Sequence, residues 1–112
     1  MALYVRVPER SSLPLRIDFT DDTGAPVTPV SANWSLTDGT GTVINTRHDV
    51  AITPLASTVY ILLSNADLQL SENAEQFRFV TVKATYNSAT YGNNVPLKVG
   101  YTFLVTPLFN VP

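Results

Sequence analysis

Apolar and polar residues alternate along much of the chain with a period of two, the spacing of a β-strand that buries one face. A first short stretch, residues 3–7, closes at Pro8. In the second, Leu13, Leu15, Ile17 and Phe19 alternate with Pro14, Arg16 and Asp18. Pro14 has no N–H to give, which predicts an edge or a bulge where this strand begins. Ala32, Trp34 and Leu36 alternate with Asn33, Ser35 and Thr37 in the cleanest half-buried strand, with Trp34 at its centre. Asp38-Gly39-Thr40-Gly41 then predicts a turn into a hairpin partner at residues 42–45. A short strand at residues 50–52 stops before Pro54, and the apolar run at residues 57–63 predicts a central strand. Ser64 followed by Asp67 three residues later reads as the capping pattern of one helical turn. Residues 77–86 form the longest predicted strand, with Val80, Val82, Ala84 and Tyr86 on one face. A ten-residue, Asn-rich loop at 87–96 leads to a final strand in which Leu97, Val99, Tyr101, Phe103 and Val105 alternate strictly.

Seven or eight short strands with a turn signal every 8–12 residues predict an all-β fold, an immunoglobulin-like antiparallel β-sandwich. Composition agrees. Thirteen Val and fourteen Thr supply β-branched side chains suited to a pleated sheet, and eight Pro interrupt helices. The 112 residues make one domain, 1–112, with candidate interaction arms at 1–8 and 106–112. With no Cys, the core is held by packing alone, and thiolate chemistry is excluded. A net charge of −2 argues against nucleic acid, and no apolar run has the length of a membrane helix. No basic and apolar leader pattern opens the chain. Charged residues make up only 14%, little with which to coat a monomer, so a homo-oligomer or a many-copy assembly is expected.

Candidate chemistry is sparse. Asp22-Thr23-Gly24-Ala25 resembles the string of retroviral-type aspartic proteases, where two chains each supply one Asp to a pair sharing a proton. In that family apolar residues precede the Asp; here Thr20 and Asp21 do, and a turn with Gly24 at positive φ accounts for the string. Asp18, Asp21 and Asp22 match no calcium-loop spacing and read as turn acids. His48 and Asp49, adjacent on an extended chain, are expected to point apart. Asn33-Trp34-Ser35 matches a glycosylation acceptor but lies inside a predicted strand. No catalytic, metal-binding or cofactor-binding residue is assigned. The loop tip with Tyr91, Asn93 and Asn94 is a candidate binding surface, for instance for a glycan. The apolar ends, Leu3, Tyr4 and Val5 with Leu108, Phe109 and Val111, are the candidate assembly interface.

From Ile17-Asp18-Phe19 through Asp22-Thr23-Gly24-Ala25-Pro26-Val27 to Trp34-Ser35-Leu36-Thr37-Asp38 and Gly41-Thr42-Val43-Ile44-Asn45, the chain has a familiar cadence. It continues through Val80-Thr81-Val82-Lys83-Ala84-Thr85-Tyr86 and Tyr101-Thr102-Phe103-Leu104-Val105. Over residues 13–105 it resembles the small immunoglobulin-like structural proteins of tailed bacteriophages. The resemblance implies a virion component made in the host cytoplasm, with no enzymatic activity and no cofactor. Its implied partners are other virion proteins: the major capsid protein for a capsid decoration (cement) subunit, or neck and tail proteins for an accessory one.

Overall fold

The computed structural model describes residues 5–70 and 74–107. Seven strands occur among them: β1 (Val5–Pro8), β2 (Ser12–Asp18), β3 (Ser31–Asp38), β4 (Val50–Ala51), β5 (Thr58–Ser64), β6 (Gln76–Ser88) and β7 (Gly92–Thr106). They form a five-stranded sheet in the order β1-β7-β6-β3-β4 and a separate pair, β2-β5. All pairings are antiparallel except β1 with β7, which run parallel. The larger sheet is therefore mixed, not purely antiparallel as the sequence pattern suggested. Val5 of the candidate N-terminal arm lies in β1 opposite Phe103, on this chain's own sheet. Leu3, Tyr4, Leu108, Phe109 and Val111 lie outside the described residues.

The core sits between the two sheets. From the pair come Leu15, Ile17, Val59, Ile61 and Leu63; from the larger sheet come Val7, Ala32, Trp34, Leu36, Val80, Val82, Ala84, Phe103 and Val105. Period-two alternation selects these positions, because successive side chains of a strand point to opposite faces. Phe19, Ile52 and Leu68 close the ends. A 3₁₀ turn, Asn65–Leu68, follows β5 where the capping pattern was read, and the Ser64 amide donates to Asp67 Oδ2 at 3.2 Å.

Three expectations fail. Residues 42–45 form no strand: only a Thr37–Val43 bridge is made, and Asn45 and Thr46 take φ of 51° and 56°. The ten-residue loop is instead hairpin, with β6 and β7 pairing as far as Ser88–Gly92. Residues 57–63 are not central. Among the described residues β5 has β2 on one side and no strand on the other, and Tyr60 and Leu62 are 68% and 62% exposed. The Pro14 reading holds, since β2 is an edge strand.

Candidate functional site

The acidic turns are built for local structure. Asp21 Oδ1 accepts from the Thr23 amide, the Thr23 hydroxyl and the Ala25 amide at 2.9, 2.6 and 3.1 Å. Asp38 Oδ1 accepts from the Thr40 amide, the Thr40 hydroxyl and the Thr42 amide at 2.8, 2.7 and 3.0 Å. Each turn has a glycine with positive φ, Gly24 at 84° and Gly41 at 86°. The Thr hydroxyl, and then the amides, hold each carboxyl below its ordinary value. One device, Asp-x-Thr-Gly, thus closes both turns. Asp22 stands exposed beside the first and accepts from the Ser88 hydroxyl at 2.8 Å, rather than lying at a buried strand end. Asp18 accepts from Thr58 Oγ1 at 2.8 Å and Arg16 Nε at 3.2 Å. No group of three or more potential metal ligands occurs among the described residues.

His48 and Asp49 do meet, contrary to the strand argument: Nε2 lies 3.3 Å from Oδ2. The reason is backbone. Asp49 has φ of 49°, so the segment is a bend in which neighbours no longer point apart. Both side chains are largely exposed.

The excursion 42–49 ties the two sheets together. Arg47 stacks over Trp34 at 5.7 Å from the ring centroid and donates from Nε to Asp67 Oδ1 at 2.9 Å. Asn45 Nδ2 donates to the same oxygen at 2.9 Å. Asp67 is 1% exposed. Burial pushes its carboxyl up, but the bonds from Arg47, Asn45 and the Ser64 amide outweigh burial and hold it below the ordinary carboxylate value. This is a buried charge fully used by structure.

Among the described residues Arg78 is the other buried charge, at 2% exposed. It donates to the carbonyls of Phe77 and Gln69 and to Gln76 Oε1, while its Nε has no partner. Burial lowers its pKa, and the carboxylate of Asp38 opposes that. Arg78, Asp38, Asn45 and Gln69 line an open hollow of about 310 Å³ at this end of the sandwich. The sequence held a signal for this burial: Arg78 shares its strand parity with Val80 and Val82.

At the opposite end of β6, the hairpin tip presents Tyr91, 71% exposed. Its polar groups are engaged locally. Ser88 Oγ accepts from the Thr90 and Tyr91 amides, and the Asn94 amide donates to Asn87 Oδ1 at 3.2 Å. The tip thus brings Tyr91, Asn93 and Asn94 together on the surface. On the outer face of the larger sheet Lys83 and Lys98 pair in register, both exposed, with Asn33 in the next strand. One strand's sequence carries no sign of this pair, because register is set by the neighbouring strand.

The chain matches no protein-family model, and neither a curated protein nor a solved structure matches it.

Proposed function

We propose that this chain is a non-enzymatic structural subunit of a tailed-phage particle, a capsid decoration protein carried on an immunoglobulin-like sandwich. The strand order supports the fold in this reading. The third, sixth and seventh strands share one sheet, the short fourth extends it, and the second and fifth form the other. This grouping supports the reading, because an immunoglobulin sandwich likewise sets its third, sixth and seventh strands against its second and fifth; the first strand differs, running parallel to β7 in the larger sheet. The chemistry-bearing groups support a non-enzymatic role. Asp21, Asp38 and Asp67 are tied into turns and into the sheet-to-sheet contact. The exposed apolar side chains Val5, Tyr60, Leu62 and Tyr91 suit a subunit that works inside an assembly.

On a particle, many copies on repeated sites make modest single contacts sufficient. The test is to mix the protein with undecorated phage heads and sediment them. The full chain is expected to travel with the heads. Deleting residues 107–112 is expected to leave the far-ultraviolet circular dichroism unchanged and to abolish co-sedimentation. Full binding by the shortened chain would refute the role of the C-terminal arm, and heads that never carry the protein would refute the decoration reading.

A further inference from the structure

The pairing of β2 with β5 fixes which main-chain groups of β5 are free. Phe19 donates its amide to the Ser57 carbonyl at one end of the pair, and Asn65 donates to the Ser11 carbonyl at the other, at 2.7 and 3.0 Å. In an antiparallel ladder hydrogen-bonded residues alternate along the strand. The odd-numbered residues of β5 therefore bond to β2. The N–H and C=O groups of Thr58, Tyr60 and Leu62 point to the open edge. Among the described residues, no main-chain hydrogen bond joins that edge to the neighbouring 52–56 segment. Open depressions of about 210 and 280 Å³ lie beside it, lined in part by Tyr60, Leu62, Ile52 and Thr53.

The other sheet edges are protected in the ways proteins usually protect them. β1 has four residues and ends in Pro8, and β4 has two. β2 carries Pro14 at an even position, so the N–H that proline lacks is one that would have faced the open side. β5 has no proline, and no charged side chain lies between Ser57 and Ser64. It is the edge left ready to pair.

We propose that β5 pairs antiparallel with β5 of a second copy, joining two β2-β5 pairs into one four-stranded sheet about a twofold axis at Ile61. The parity of the free groups requires even residues to face even residues. Centred on Ile61, that register sets Tyr60 opposite Leu62 of the second copy, and Leu62 opposite its Tyr60. An exposed aromatic thus covers an exposed aliphatic twice, a favourable cross-strand pairing. Because Arg16 lies opposite Tyr60 and Pro14 opposite Leu62, Arg16 of one copy looks along the row toward Pro14 of the other. No like charges meet across the boundary. A foreign strand would find the same main-chain groups, but the match of Tyr60 with Leu62 two residues away is one that a second copy supplies by symmetry. A single strand pair buries less than the roughly 1,200 Å² of small specific complexes, so a Kd on the order of 100 μM is expected.

Sedimentation velocity on the full chain from about 10 μM to about 1 mM tests the pairing, at concentrations bracketing that Kd. The expected result is a shift from monomer to dimer. Leu62→Lys, on an exposed side chain, is expected to weaken it at least about tenfold, while Tyr91→Lys at the distant hairpin tip leaves it unchanged. The absence of native Cys makes the register testable too. An oxidised mixture of Tyr60→Cys and Leu62→Cys chains is expected to cross-link between the two variants and not within either. A monomer at every concentration, a dimer indifferent to Leu62→Lys, or a dimer lost on deleting residues 107–112 but not with Leu62→Lys would overturn the proposal. So would cross-linking within a single variant as efficient as in the mixture. None of these outcomes depends on phage heads, so they are separate from the test of the decoration role.

Discussion

Replacing Phe103 with Ala is expected to destabilise the domain by about 3–5 kcal/mol, the usual cost of emptying a large aromatic site in a packed core. Phe103 is fully buried in β7, with its ring centroid 6.2 Å from that of Tyr101. In register it stands between Val5 of β1 and Arg78 of β6, so the cavity would open where three strands meet. A small domain has a total stability of roughly 5–15 kcal/mol. With no disulfide to limit the unfolded chain, the substitution removes a large share of it. Urea denaturation followed by tryptophan fluorescence is the check, with Trp34 the only reporter. Tyr91→Ala at the exposed hairpin tip is the control and should stay within about 0.5 kcal/mol.

Asp67→Ala is expected to cost about 3 kcal/mol at neutral pH, the low end for removing one partner of a buried pair. The low end applies because Arg47 is 40% exposed and regains water when its partner goes. Asn45 Nδ2 and the Ser64 amide lose their acceptor as well. The pH dependence has a definite sign. Asp67 has a folded pKa below its unfolded value, so its contribution is present above about pH 4 and is lost as pH falls through the folded pKa. The urea midpoints of wild type and variant should therefore differ most near pH 7 and converge in strong acid. A gap that persists undiminished at pH 2 would mean that packing, not the carboxylate, holds this corner.

Much of the fold is legible in the sequence because burial selects every second residue. The alternation around Trp34 and that from Val80 to Tyr86 mark the inward faces of β3 and β6. Pro14 marks an edge, and Ser64 with Asp67 marks the 3₁₀ turn. The bend at 43–47 depends on a partner distant in sequence. Val43 and Ile44 look like strand residues. Their segment bends because Asn45 and Arg47 reach Asp67, twenty-two and twenty positions further along. Residues 57–63 look central because they are apolar, yet composition does not count how many neighbours a strand has. Asn87 and Asn93 look like loop residues, but they lie within β6 and β7, at the irregularity between the Tyr86–Val95 and Ser88–Gly92 pairs. Of the candidate binding positions, Tyr91, Asn93 and Asn94 do gather at one exposed tip, while Val5 is part of β1. The buried Arg78 and the paired Lys83 and Lys98 went unread, because a charge in a sequence carries no label for burial or register.

The capsid-decoration role is tested by a binding isotherm on undecorated phage heads, counting copies bound per head as the protein is titrated. A decoration subunit is expected to saturate at a fixed number of copies per head, with isolated tails binding none. Binding that never saturates, or a particle that takes up no protein at any concentration, would contradict that role.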